Sequence, residues 1–216
     1  MPSILEDPST KIPPPTKLPP MLSPRKTHLK DQTPVTLYPI TNGASALPHE
    51  LVSLLHREFT AEIEAGCTYP MEEPMDLARF AEYWFGTFAV VAVVDDEGEG
   101  NGLRQGRDWE RVCLGTFYIK PNYPGRCSHV CNAGFLTTGA ARNRGVGMVM
   151  GKTYLEYAPK LGYKYSVFNL VFANNVASIK IWDRLGFTVI GRVPGAGRLA
   201  NSEELVDALI IGRDLV

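Results

Sequence analysis

The octapeptide ARNRGVGM, Ala141 to Met148, sits where a strand must give way to a helix. Ahead of it, SHVCNAGFLTT reads as a strand ending at Leu136, Thr137 and Thr138; behind it, MVMGKTYLEYAPKLG has helical spacing from Met148. Arg142 to Gly147 is therefore a strand-to-helix turn. At such a turn the first amides of the helix lack acceptors and point outward with the positive end of the helix dipole, which makes a seat for an anion. Arg142 and Arg144 can add charge-assisted bonds to phosphate oxygens. Gly145 and Gly147 either let a phosphate approach the backbone or only allow tight packing of helix on strand, and both readings stand at this level. The spacing lacks the G-K-[ST] ending of a P-loop. A dinucleotide turn would sit by the first strand of a repeated βαβ, not in mid-chain.

Around this turn the periodicities order the rest of the chain. VTLYPI, from Val35, reads as a strand, LPHELVSLLHREFTAEIEAG as a helix closed by glycine, MDLARFAEYWFG as a second helix and TFAVVAVVDD as a buried strand. EGEGNGLRQGRDWE is a loop, RVCLGTFYIK a strand, and PNYPGRCS the turn into the strand that precedes ARNRGVGM. After the central helix come the strand YKYSVFNLVF, the helix NVASIKIWDRLGF and the strands TVIGRV and LVDALIIGRDL. The order β-α-α-β-β-β-α-β-α-β-β predicts one α/β (α+β) domain over residues 35–216, a mixed sheet flanked by helices. Residues 1–34, with IPPPTKLPP inside them, are too proline-rich for packed elements and are expected to form a disordered or extended tail.

Charge and composition narrow the partners. Lysine and arginine total 22 against 23 acids, which gives no electrostatic reason to expect nucleic acid or a membrane surface, so the partner is expected to be small. No run approaches the roughly 18 apolar residues of a membrane span, and the first thirty residues lack a secretory apolar core. A cytoplasmic location is expected, with mitochondrial association as the alternative. The four cysteines are too few for a disulfide scaffold and are expected to be reduced. Cys127, His129 and Cys131 would share one face of a strand, but three ligands without a fourth do not make a zinc site, and no metal is expected. Tyr83, Trp84, Phe85 and Phe88 are expected to be core, with one or two walling a pocket.

Two motifs in order carry a resemblance. Arg142-Asn143-Arg144-Gly145-Val146-Gly147 resembles the acyl-CoA pyrophosphate turn of the GNAT family of N-acetyltransferases. Some thirty residues later, NNVASIKIWDRLGF resembles that family's next helix, N-x-x-A-x-x-L-Y-x-K-x-G-F. Asn175, Ile181, Arg184, Gly186 and Phe187 fit that form, with Ser178 in place of the alanine. From about Val35 onward, FYIKPNYPGRCSH, CSHVCNAGFL, LGYKYSVFNLVFANN and VDALIIGRDL resemble one branch, the fungal azetidine-2-carboxylate N-acetyltransferases. The resemblance implies a mostly antiparallel mixed sheet with a splayed central strand pair, acetyl-CoA as co-substrate, and a homodimer. It also implies acetylation of the ring nitrogen of small cyclic imino acids, proline analogues or proline-pathway metabolites, and a part in oxidative-stress tolerance. The alternatives are a GNAT enzyme for another small amine and a CoA-binding protein without turnover.

Residue roles follow from the same resemblance. Backbone groups of Phe135, Leu136 and Thr137 would face the pantetheine and thioester, with the Phe135 N–H as oxyanion donor. Arg142, Asn143, Arg144, Gly145, Val146 and Gly147 would hold the pyrophosphate, with Asn175 and Ser178 on the pantetheine arm and Lys180 at the cofactor's edge. Asn132 and Asn169 would fix the acceptor's carboxylate and nitrogen, helped by the Leu170 backbone. Read without the resemblance, a polar amide inside VFNLVF has a lesser alternative as a satisfied tie between strands, and Asn175 could also cap its helix, a reading that does not compete with the first. One departure stands out: Trp182 occupies the place where many relatives carry the tyrosine that protonates the leaving thiolate. An indole N–H is a very poor acid, and no carboxylate lies beside Asn132 or Asn169 in sequence, so positioning with water as proton carrier is expected.

Overall fold

The computed structural model of the chain describes residues 13–15, 22–95 and 102–216. Its strands and helices run β1 (Arg25–His28), β2 (Pro34–Ile40), α1 (His49–Ala65), α2 (Leu77–Phe85), β3 (Ala89–Val94), α3 (Trp109–Val112), β4 (Cys113–Pro121), β5 (Val130–Thr137), α4 (Val146–Lys160), β6 (Tyr165–Phe172), α5 (Val176–Arg184), β7 (Thr188–Gly197) and β8 (Val206–Asp214). The eight strands form one sheet in the order β1-β2-β3-β4-β5-β6-β8-β7. Every neighbouring pair is antiparallel except β5 and β6, which α4 joins as parallel strands.

Side-chain alternation divides the core between the two faces of the sheet. In β3, Ala89, Val91 and Val93 pack with Leu51, Leu55 and Phe59 of α1 and with Phe80 and Trp84 of α2. Val90 and Ala92 face the other way, toward Met150, Tyr154 and Tyr157 of α4. A strand covered on both sides has no polar face, which is why AVVAVV is apolar without a break. Helix α1 stops where Gly66 adopts φ 63°, and α2 starts where the Asp76 carboxylate accepts the Arg79 N–H at 2.8 Å. The aromatics of α2 are core as expected: Trp84, Phe85 and Phe88 are buried, and Tyr83 also walls a cavity.

Three expectations need correction. Arg25–His28 is an ordered edge strand paired with β2, not part of a tail. Arg25 Nη1 donates to Thr153 Oγ1 at 3.1 Å and the Tyr157 hydroxyl donates to the Ser23 carbonyl at 2.8 Å, so the segment is fastened to α4. A four-residue polar strand with alternate burial carries no apolar run for periodicity to detect. The rest of the expected tail, residues 1–12 and 16–21, lies outside the described residues. The loop EGEGNGLRQGRDWE, of which residues 97–101 also lie outside them, ends in α3, because the Asp108 side chain caps the Arg111 N–H and Trp109 is buried. Cys127 stands on an exposed 3₁₀ turn, Gly125–Cys127, whereas Cys131 is buried in β5, so they share no strand face. Among the described residues no group of three His, Cys, Asp or Glu could hold a metal ion, and no helix is long and apolar enough to cross a membrane.

Burial pushes the thiols of Cys113 and Cys131 up to about 12. Since the thiolate is the reactive form, a soluble alkylating reagent at pH 8 is expected to label Cys127, and more slowly the half-buried Cys67, while Cys113 and Cys131 react only after denaturation. Mass spectrometry of the labelled chain checks this.

Candidate active site

Strands β5 and β6 lie side by side for two residue pairs, Val130 with Tyr165 and Cys131 with Ser166, and then part. The last pair is pinned from α4, whose Tyr154 hydroxyl lies 2.5 Å from Ser166 Oγ and 3.1 Å from Cys131 Sγ. On the other side of β5 the hydrogen bonds fix which residues face the gap. The Val130 carbonyl accepts from the Asn122 N–H at 2.7 Å and the Thr138 N–H donates to Leu114 at 3.1 Å. By the alternation of an antiparallel ladder, Asn132, Gly134 and Leu136 also turn their backbone groups to β4, and Ala133, Phe135 and Thr137 turn theirs into the gap. Leu136 thus departs from expectation: its amide and carbonyl face β4 and its side chain is buried against α1 and α2. The Phe135 carbonyl accepts a hydrogen bond from Tyr69 at 3.1 Å, and the Phe135 N–H points into the same gap.

The gap opens into a cavity of 510 Å³. At one end lie Thr137, Gly147, Asn175, Ser178, Ile181 and Trp182; at the other lie Tyr69, Met71, Tyr83, Tyr118, Lys120 and Asn132. Trp182 packs against Phe168 and Phe135, with ring centroids 4.6 and 4.8 Å away.

At the cofactor-like end the turn has the geometry expected of an anion seat. Helix α4 begins at Val146, and the Val149 N–H is bonded to the Gly145 carbonyl, so the amides of Val146, Gly147 and Met148 lack intrahelical acceptors. Gly145 sits at φ 86°, a conformation side chains resist, and a Cβ on Gly147 would meet Ile181 Cδ1 of α5 at 2.9 Å. Both glycines therefore serve local structure, the first by its backbone angle and the second by close helix packing. Asn143 also takes a positive φ, 63°, and is exposed. The two arginines are held by acids. Arg142 pairs with Glu62 of α1, and Arg144 pairs with Asp31 at 3.1 Å and with the Thr33 hydroxyl at 3.0 Å, both in the β1–β2 turn. Hydrogen bonds from Thr33, with Arg144 beside it, hold the Asp31 carboxyl down to about 2. This clasp is complete above the ordinary carboxylate value and is lost only as pH falls toward about 2.

At the acceptor-like end three amides meet. Asn122, buried in the turn after β4, accepts from Asn132 Nδ2 at 3.1 Å and from Asn169 Nδ2 at 2.6 Å, and its own Nδ2 donates to Asn169 Oδ1 at 3.2 Å. Asn132 and Asn169 are therefore strand ties and cavity walls at once, and Leu170 beside them is exposed. Asn175 caps α5 by accepting the Ser178 N–H at 3.1 Å and also lines the cavity, so its two readings coexist. Lys180 is exposed on the outer side of that helix. Sequence reasoning missed Asn122, Tyr69 and Lys120. Asn122 was hidden in a stretch that reads as turn formers, and nothing in the spacing of the other two marks them.

The sequence pattern of the acetyltransferase (GNAT) family matches residues 50–187, from α1 to the end of the α5 motif. The chain belongs to the GNAT family. It is 47% identical over 165 residues to N-acetyltransferase aca1 of Schizosaccharomyces pombe, covering 74% of this chain and 78% of that protein. Among solved structures it is similar to a GNAT acetyltransferase from Kribbella flavida, with 26% identity, a TM-score of 0.68, and coverage of 82% of this chain and 97% of the other. It also shares the fold of a phosphinothricin acetyltransferase from Sinorhizobium meliloti solved in complex with acetyl-CoA, with TM-score 0.61, 14% identity, and coverage of 82% and 88%. This GNAT protein is an acetyl-CoA-dependent acyltransferase. The splayed strands, inward-facing backbone of β5 and open amides of α4 fit acetyl-CoA.

Two substitutions test the ends of this GNAT site separately. Asn122→Ala removes the hub of the amide cluster and is expected to cost about 1–3 kcal/mol of stability, read by urea unfolding, with acetyl-CoA affinity unchanged. Gly145→Val forces a β-branched residue to φ 86° and is expected to weaken acetyl-CoA about tenfold or more, the scale of 1–2 kcal/mol of backbone strain, read by calorimetry.

Proposed function

We propose that this acetyltransferase moves the acetyl group of acetyl-CoA onto the nitrogen of a small cyclic imino acid, azetidine-2-carboxylate, a proline analogue or a proline-pathway metabolite. The observation that carries the reading is the cluster of Asn122, Asn132 and Asn169 at the acceptor end of the cavity, close to the inward-facing Phe135. Neutral amides offer both donors and acceptors, which suits a compact molecule that presents a carboxylate and an amine together. The aromatic and methionine walls of Tyr69, Met71 and Tyr83 suit its apolar ring.

In this reading Asn169 orients the acceptor nitrogen, and Asn132 with the Leu170 backbone holds the carboxylate edge. The neutral amine attacks the thioester carbon, the Phe135 N–H stabilises the oxyanion that forms, and the C–S bond breaks as the N–C bond is completed. The amine proton passes to water and the thiolate departs. Trp182 takes no part in that proton transfer: its single N–H donates to Ser178 Oγ at 3.0 Å. At the other end the CoA pyrophosphate takes up the amides of Val146 and Gly147, and displaces Glu62 from Arg142 and Asp31 from Arg144. Both pairs are partly exposed, where solvent screening leaves an ion pair weak, so the exchange costs little. Asn143 stands beside the pyrophosphate in that turn, and Thr137, Asn175 and Ser178 line the path to the acceptor end. The reading includes a homodimer, for which the exposed apolar Val189, Ile190 and Val193 of edge strand β7 offer a surface, and a cytoplasmic location.

Thiol release from acetyl-CoA, followed continuously with azetidine-2-carboxylate, proline, cis-4-hydroxyproline, spermidine and a histone-tail peptide as acceptors, is expected to show turnover with the cyclic imino acids alone. Turnover with spermidine or the peptide instead would favour a GNAT enzyme for another amine. Asn169→Ala is expected to lower kcat/KM for the imino acid by about tenfold or more, with the KM for acetyl-CoA little changed.

A further inference from the structure

The turn that opens α4 meets a further cation from a distant part of the sequence. Lys30 stands in the turn between β1 and β2, which is held by its own backbone: the Leu29 N–H donates to the Thr33 carbonyl at 2.9 Å and the Gln32 N–H to the Leu29 carbonyl at 3.1 Å. The Leu29 side chain is buried in the same core as Val146 and Met150 of α4, and at the far end of β1 Arg25 bonds to Thr153 of that helix. The hairpin is thus fastened to the helix whose first amides stand open. The Lys30 side chain runs along the turn itself: its Cγ, Cδ and Cε lie 3.5, 3.6 and 3.6 Å from where a Cβ on Gly145 would stand. The ammonium is one bond beyond Cε and the residue is exposed, so an apolar stem rests on Gly145 while the charged head meets solvent. Asp31, the next residue, accepts from the Thr33 N–H at 3.0 Å through one oxygen and from Arg144 at 3.1 Å through the other.

Resting on the placement of the CoA pyrophosphate at this turn, proposed above, we infer that the Lys30 ammonium binds that pyrophosphate. The open amides of α4 offer roughly half an elementary charge, less than a diphosphate brings, and Arg142 and Arg144 each begin on an acid that the phosphate must displace. Lys30 adds a whole charge, and the acid beside it in sequence is already committed to Arg144. A phosphate oxygen is the acceptor with which an ammonium forms its stronger, charge-assisted bonds. CoA also carries a 3′-phosphate on its ribose, which offers the same chemistry. The pyrophosphate is favoured because the lysine stem lies on Gly145, the residue immediately before the first open amide, Val146. The cofactor site of this chain therefore includes a residue that lies outside R-x-x-G-x-G and enters from the β1–β2 hairpin.

The test measures equilibrium binding of acetyl-CoA and of acetyl-dephospho-CoA, which lacks the 3′-phosphate, to the full chain by calorimetry with no acceptor amine present. Lys30→Met, which keeps an apolar stem and removes the charge, is expected to weaken both ligands by the same factor, about tenfold, the loss of one charge-assisted contact. Lys30→Arg should retain the affinity, Lys30→Glu should lower it further, and Lys30→Gln replaces the methionine variant if that one does not fold. Added sodium chloride is expected to weaken acetyl-CoA less steeply in Lys30→Met than in the wild type, because one screened attraction is gone. Gly145→Val, measured alongside, reports on the turn itself. A loss with acetyl-CoA but not with the dephospho ligand would move Lys30 to the 3′-phosphate and overturn the inference. Unchanged affinities in Lys30→Met, with acetyl-CoA weakened in Gly145→Val, would overturn the role of Lys30 and leave the pyrophosphate at the turn. Unchanged affinities in both variants, or a loss in Lys30→Met alone, would overturn that placement and the inference with it.

Discussion

The site depends on the parting of β5 and β6 after two paired residues. A strand that leaves its neighbour exposes backbone donors and acceptors that must be satisfied by something else. Here the vertex is fixed from both faces of the sheet. Tyr154 binds Ser166 and Cys131 from the α4 side, while Asn122 draws Asn132 and Asn169 together from the α1 and α2 side. Between the arms, Phe135 and Thr137 turn backbone groups into the gap, and the Tyr69 hydroxyl donates to the Phe135 carbonyl. In the proposed function, an extended chain with amides of its own, such as pantetheine, would complete the sheet where the protein leaves it unfinished.

Electrostatics follows the same plan of provisional partners. Arg142 and Arg144 of the turn rest on Glu62 and Asp31, the partners that the proposed pyrophosphate would displace. Glu62 belongs to α1 and also lines the cavity next to Thr68 and Tyr69. One helix therefore borders both the Arg142 turn and the segment Thr68–Met71 that lines the cavity.

Much of this was legible in the sequence because it was written as pattern. AVVAVV had to be a doubly covered strand, and R-x-x-G-x-G between strand and helix had to leave free amides at a helix start. The pairing of that turn with NNVASIKIWDRLGF pointed to the family that the chain proved to match. What escaped was set by register and by contacts distant in sequence. Whether Leu136 or Phe135 faces the gap depends on a one-residue phase that alternation fixes only once Asn122 and Val130 are seen to pair. Asn122 joins residues 10 and 47 positions away, and no local signal marks such a hub. The edge strand β1 was lost to composition, since the prolines around it outweigh four polar residues.

That lost strand has a consequence for the cofactor end. The turn between β1 and β2 supplies Asp31 and Thr33 to Arg144, and the Lys30 side chain lies 3.5 Å from where a Cβ on Gly145 would stand. The anion seat is thus built from two pieces of chain more than a hundred residues apart. A chain trimmed at Val35, where the periodic pattern begins, would keep every motif of the family and still lose one wall of the seat. In this protein the β1 segment acts as a latch, coupling its own anchoring on α4 to the shape of the Gly145 turn.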